Sequence, residues 1–325
     1  MRTPLTPRPR RVALALVAGA LLATGATGCE PTEPAAFTVD STATGADADP
    51  GDGICATAQD ACTLRAAVEE ANALDTRTTI TVPAVAVPAM DLTVTGAIEL
   101  VSAEATAAAL HLVSWTVAEG AQLAVTDASL GPVDVQGTFL ARRVIIGSAV
   151  QAPSDLDALL QVGATGSALL TNAHAVAIGA PLATNAGVLS IHGVTVSPMA
   201  DGAEPVITTT TGGQTRLSAT AVLGGPDGTD VCSGDAVTSY GYNLVPDTTC
   251  DLVMEGDRQD FDETETTPQA EDDARLDAIP VGTLHCGAGW NDDLASFGAT
   301  ARPADGDGSG TPACDVGAWE LGAGA

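Results

Sequence analysis

The chain is 325 residues long, with 45% hydrophobic residues and 3% aromatics, and its twelve basic residues, all arginine, face 41 acids. That is apolar material enough for a sizeable core, built from small and β-branched side chains in layers. So acidic a surface repels nucleic acid and anionic lipid, which argues against a nucleic-acid partner; it suits divalent cations and keeps an exposed protein soluble.

Arg8, Arg10 and Arg11 precede an uncharged run, Val12 to Gly28, that is apolar through Ala23. A basic start, a short apolar core and small residues before a cut site read as a secretory signal, and the run is too short to remain as a membrane helix. Ala26-Thr27-Gly28-Cys29 resembles the lipobox of bacterial lipoproteins, where cleavage exposes a cysteine that is then acylated. The other reading is an ordinary signal with an unpaired cysteine. Loss of residues 1–28 removes four arginines and leaves eight against 41 acids, 33 more negative charges than positive. Glu30 to Ala36 form a stiff polar tether. The chain then divides into a cap at 37–78, coils at 79–225 and a C-terminal region at 226–325.

From Phe37 to Leu74 the pattern predicts a strand, an Asp/Gly-rich loop, a cysteine-closed ring and an amphipathic helix. Thr63 is the expected N-cap, and Leu64, Ala67, Val68 and Ala71 fall on one apolar face, with Glu69 and Glu70 pointing to solvent. Oxidation of Cys55 and Cys62 would close an eight-residue ring worth about 2.5 kcal/mol in the loop-closure account. CTLRAAVEEAN, preceded by FTVDST and GDGIC, resembles the CSLREA-type N-terminal domain of bacterial surface proteins that continue into a right-handed parallel β-helix. Where that family's Ser and Glu form a capping box, this chain has Thr63 and Ala66, weakening the helix start by roughly 0.5–1 kcal/mol.

From Thr79 to Gly225 short Val/Ile/Leu/Thr runs are punctuated by Gly, Asn and Asp. Five begin at a glycine, Gly120, Gly137, Gly166, Gly187 and Gly213, at spacings of 17 to 29 residues. One supersecondary unit per turn of a stack has this range; with what the resemblance of the first domain implies, the expected fold is all-β, a right-handed parallel β-helix with an N-terminal capping helix. A β-sandwich is the alternative. The runs 159–162, 188–191 and 221–224 are the inward candidates, and the bulk of Trp115 and Phe139 suggests coil ends.

After Gly225 the texture changes. SYGYNLVPDTTC at 239–250 and CDVGAWE at 314–320 resemble the C-terminal region called choice-of-anchor Q in surface β-helix proteins, although the segment between departs from that pattern. Residues 247–273 carry eleven acids and one arginine, the signature of a solvated loop. With Cys29 set aside for lipid, six cysteines remain for an oxidising compartment. Fifteen pairings are open. The sequential one, Cys55 with Cys62, Cys232 with Cys250 and Cys286 with Cys314, is favoured because each pair brackets a Gly/Asp-rich segment. Acids alternate near glycine at Asp47, Asp49 and Asp52 and at Asp305 and Asp307, a pattern that can wrap Ca²⁺. Neither has the EF-hand spacing, and a plain Asp/Gly turn is the stronger reading.

No catalytic constellation is legible. A uronate lyase needs a base beside Ca²⁺-holding acids, and a glycoside hydrolase needs two carboxylates about 5–10 Å apart. The coils offer Arg142, Arg143, Arg216 and scattered single acids. Arg142 and Arg143 are neighbours on one run and must face opposite ways, one of them at a turn or paired with an acid such as Asp127 or Asp134. His192-Gly193 resembles part of a polygalacturonase motif whose paired aspartates have no match here, and His111 and His174 read as turn or stacked residues. The expected function is a lipid-anchored cell-surface β-helix protein, more a binder of glycan or protein than an enzyme. A β-helix polysaccharide enzyme is the runner-up and a structural envelope component the third reading.

Overall fold

The computed structural model describes residues 34–83, 87–103, 108–147, 157–177, 180–198, 205–223, 230–260 and 316–318. All of them belong to one compact unit that runs from Glu33. The strands form three sheets in which every pairing is parallel. Sheet 1 stacks β1 (Ala35–Thr38), β2 (Thr78–Val82), β4 (Ala97–Ser102), β7 (Gln122–Thr126), β10 (Thr138–Arg142), β13 (Ser167–Thr171), β16 (Val188–His192), β19 (Gln214–Ser218) and β22 (Thr238–Ser239). Sheet 2 stacks β5 (Ala108–Leu110), β8 (Ala128–Leu130), β11 (Ile145–Gly147), β14 (His174–Ala177), β17 (Thr195–Pro198) and β20 (Ala221–Val222). Sheet 3 stacks β3 (Met90–Val94), β6 (Val113–Val117), β9 (Val133–Val135), β12 (Leu160–Val162), β15 (Ala183–Asn185), β18 (Ile207–Thr209) and β21 (Cys232–Gly234). The chain passes from sheet 1 to sheet 2 to sheet 3 and returns one rung further on, which is a parallel β-helix. Its crossovers are of the kind that take the right-handed sense almost without exception.

Strand periodicity sorts the side chains. On β10, β13 and β16 alternate residues are buried, so Phe139, Ala141, Ala168, Leu170, Leu189 and Ile191 line the interior. Four short sheet 3 strands, β9, β12, β15 and β18, contribute two inward residues each, such as Val133 and Val135, or Leu160 and Val162. Toward the C-terminal coils the interior turns polar and satisfies itself. Asn185 Nδ2 donates to Thr215 Oγ1 at 2.9 Å, the Thr209 and Thr215 hydroxyls lie 2.7 Å apart, and Asn185 Oδ1 accepts the Gly187 N–H. All three side chains are fully buried, and a buried polar group must find such partners.

The three corners follow different rules. Between sheets 1 and 2 the chain turns through a left-handed residue in each of the five coils from β7 to β20, with φ 57° at Asp127, 49° at Arg143, 50° at Asn172, 58° at Gly193 and 48° at Ala219. The N–H of each donates to a carbonyl on the next coil, Arg142, Thr171, His192, Ser218 and Gly241 in turn, at 3.0–3.2 Å. Between sheets 3 and 1 sit Gly137, Gly166, Gly187 and Gly213. A Cβ at any of them would strike backbone carbonyl oxygens, those of Gly163 and Gly166 in the case of Gly187. The glycines therefore recur because consecutive coils approach too closely for a side chain. Between sheets 2 and 3 the connection is residues 111–112 and 131–132 early on, then 148–159, 178–182, 199–206 and 223–231. Most of the added length falls at this corner, with smaller additions at 103–107, 118–121, 163–166 and 210–213, and it accounts for most of the irregular glycine spacing.

The N-terminal end is closed by α1 (Leu64–Ala73). Thr63 caps it, its Oγ1 accepting from the Ala66 N–H at 3.0 Å and donating to the Gly45 carbonyl at 2.6 Å. Leu64, Ala67, Val68 and Ala71 join the same hydrophobic cluster as Val39, Ile80, Val82, Met90 and Leu92. Asn72 fixes the far end of the helix, donating to Thr93 O and accepting from the N–H groups of Thr95 and Gly96.

Several expectations need correction. Trp115 and Phe139 do not mark coil ends. Both are fully buried in mid-stack, Phe139 in register between Leu123 and Ala168, and Trp115 between Leu92 and Val133. Glu70 does not face solvent; it is completely buried. The first strand begins at Ala35, within the expected tether, and pairs with β2 as a rung of the solenoid, while β21 and β22 carry the coils past residue 225.

Candidate functional sites

The cap is held by carboxylates acting on backbone amides. Glu70 accepts from the N–H groups of Gly51 and Gly53, and Glu69 accepts from Asp47 N at 2.8 Å. Asp47 in turn takes the N–H groups of Asp49 and Ala56 at 2.9 and 3.2 Å, and Asp52 takes that of Ile54 at 2.8 Å. Asp47 and Asp52 thus serve as turn-closing acceptors. Among the described residues no three acidic, histidine or cysteine side chains are grouped so as to hold a metal ion. Asp305 and Asp307 lie outside the described residues.

Among the described residues two disulfides are formed, Cys55–Cys62 and Cys232–Cys250, with Cα separations of 5.1 and 4.9 Å. The first ties the loop to the N-terminus of α1. Replacing Cys55 and Cys62 together by serine is expected to lower unfolding stability by about 2.5 kcal/mol; a urea midpoint unchanged in the double variant would refute a stabilising role. The second disulfide belongs to a closure of β21, the last sheet 3 strand among the described residues. There Asp247 accepts the Val231 N–H and Thr249 Oγ1 accepts the Cys232 N–H, so amides at the open edge are satisfied by side chains. Cys29, Cys286, Cys314 and His285 lie outside the described residues.

Arg142 and Arg143 diverge, as strand alternation requires. Arg143 stands in the left-handed corner and grips Asp127 of the preceding coil with two 2.7 Å contacts, Nε to Oδ1 and Nη2 to Oδ2. Arg142 ends β10 on the outer face of sheet 1, in one row with Thr126, Thr171 and His192. Arg216 lies on the same face three rungs along, its Nη2 donating to Gln214 Oε1. His174 Nε2 meets Ser197 Oγ on the outside of sheet 2 at 3.0 Å, and His111 sits in the turn after β5. These basic groups are distributed along the stack and do not converge with paired acids.

Two polar features escaped the sequence. Asp257 gathers Ser239 Oγ, the N–H groups of Asn243 and Met254, and Asn243 Nδ2 at the C-terminal end. Val316–Ala318, inside the CDVGAWE stretch, returns to the outside of the coils. Gly317 N donates to Ala219 O at 2.8 Å, Ala318 N donates to Thr195 Oγ1 at 3.0 Å, and Val316 packs with Ala221 and Leu244.

Compared with protein-family models, curated proteins and solved structures, the chain finds no match.

Proposed function

We propose that this chain is an exported, lipid-anchored β-helix protein of a bacterial cell surface that binds a glycan or protein ligand. The observation that carries the reading is a helix-capped parallel stack fastened at both ends by disulfides. Such bridges belong to oxidising compartments outside the cytosol. The order of parts agrees with the resemblance to the CSLREA-type and choice-of-anchor Q regions, and the lipobox-like Ala26–Cys29 supplies the anchor. A β-helix offers an extended face along which a long ligand can lie. A single acyl chain binds membranes only marginally, and the multiple acylation of a lipoprotein cysteine holds firmly.

Cys29→Ala is expected to move the protein from the membrane fraction to the soluble fraction. Retention of the variant in membranes would overturn the anchoring. For the ligand, the soluble chain is incubated with a panel of bacterial and plant polysaccharides and Ca²⁺, reading both retention and product masses. Retention without products is the expected result. Shortened or unsaturated oligosaccharides would make the protein an enzyme, and the absence of both would leave a protein-binding or structural role.

A further inference from the structure

The outer face of sheet 1 departs from the charge of the rest of the chain. On β7, β10, β13, β16 and β19 the outward positions are 122, 124, 126, 138, 140, 142, 167, 169, 171, 188, 190, 192, 214, 216 and 218. None of them is a carboxylate, in a chain with 41 acids against 12 arginines. Two are arginines, Arg142 and Arg216, and one is His192. Among the described residues the one acid on any outward sheet 1 strand position is Glu99, and it already holds Arg77 at 3.2 Å. At the rim Asp127 is neutralised by its bidentate pair with Arg143.

Register adds geometry to the charge. Arg142 and His192 are two rungs apart in one row, and Arg216 lies three rungs from Arg142 in the next. At about 4.8 Å per rung the arginines stand roughly 14 Å apart along the stack. On this face the row of Arg216 also carries the apolar pair Leu140 and Leu169 on adjacent rungs and the Ser190 hydroxyl, and the row beyond it carries the Thr138 and Ser167 hydroxyls and the Gln214 amide. Repeating hydrogen-bond groups next to apolar patches suit a polymer of sugars, whose rings carry hydroxyls on their edges and C–H groups on their faces. Spaced cations suit one that carries carboxylates at intervals.

We infer that the outer face of sheet 1, from β7 to β19, binds an extended acidic polysaccharide of the polyuronate kind. The inference rests on the proposed glycan-binding role and names its face and ligand class.

The test is affinity electrophoresis of the chain from residue 30 in gels containing polygalacturonate or neutral galactan. Polygalacturonate is expected to retard the protein, and raised salt to abolish the effect. Arg142→Gln with Arg216→Gln should weaken retardation about tenfold, as two ion pairs between half-buried arginines and the polymer are lost. Arg216→Gln alone, a half-buried surface change, should give about a threefold loss, and Arg65→Gln on α1 no change. Retardation by polygalacturonate that neither variant alters would overturn the assignment of the face. Retardation by galactan but not polygalacturonate would overturn the acidic ligand while leaving glycan binding in place. Failure of both polymers would overturn the inference and weigh against the glycan-binding reading together.

Discussion

Gly187→Ala is expected to destabilise the fold by roughly 3 kcal/mol, because the added methyl has no rotamer to choose and its neighbours are main chain. It would collide with the carbonyl oxygens of Gly163 and Gly166 on the preceding coil. Relief requires the two coils to separate, and separation lengthens the ladder bonds from Val188 N to Gly166 O and from Ala186 N to Val162 O, now 3.0 and 2.8 Å. Gly212→Ala provides the comparison. Gly212 has φ +92° and nothing within 4 Å of a Cβ built there, so its substitution costs only the left-handed penalty, about 1–2 kcal/mol. Urea unfolding of both variants separates crowding from conformation. Equal losses would mean that the close approach of the coils does not select glycine at this corner.

Glu70→Ala should lower stability by about 2 kcal/mol, since it removes a buried carboxylate whose hydrogen bonds to the part-buried Gly51 and Gly53 amides water replaces only in part. Glu70→Gln keeps one carbonyl oxygen but turns an NH₂ toward an amide donor, so it should fall between the two. The damage is local in origin. Cleavage within residues 46–54 by a non-specific protease should accelerate before the coils unfold. A loop that stays protected in Glu70→Ala would show that the disulfide and the Asp47 turn suffice to hold it.

Much of the solenoid was legible, for a physical reason visible at Gly137, Gly166, Gly187 and Gly213. Close coil contact forces glycine at one corner, and each glycine opens a run that spans a sheet 1 strand, the left-handed corner and a sheet 2 strand. The third strand of each coil was mostly hidden. Three residues such as Val133–Val135 or Ala183–Asn185 are too few to display a period. Phe139 was misjudged because interior volume is shared between rungs, and its bulk is balanced by Ala168 on the next one. Glu70 was misjudged because the helix wheel sees only the helix; what buries it is a loop some twenty residues upstream that folds back over it. At the candidate sites, the local pairing Cys55–Cys62 and the divergence of Arg142 from Arg143 followed from spacing and alternation. The absence of carboxylates from one outer face could not be read until the register was known.

The return of Val316–Ala318 to the coils has a consequence for the order of assembly. Each rung pairs only with the rungs just before and after it, so a chain emerging N-terminus first can form its cap and add coils one at a time on an existing template. The contact from Ala318 to Thr195 spans 123 residues and cannot form until every described coil has been delivered. It closes over coils already built: a product truncated before Val316 would hold its stack with Thr195 and Ala221 uncovered.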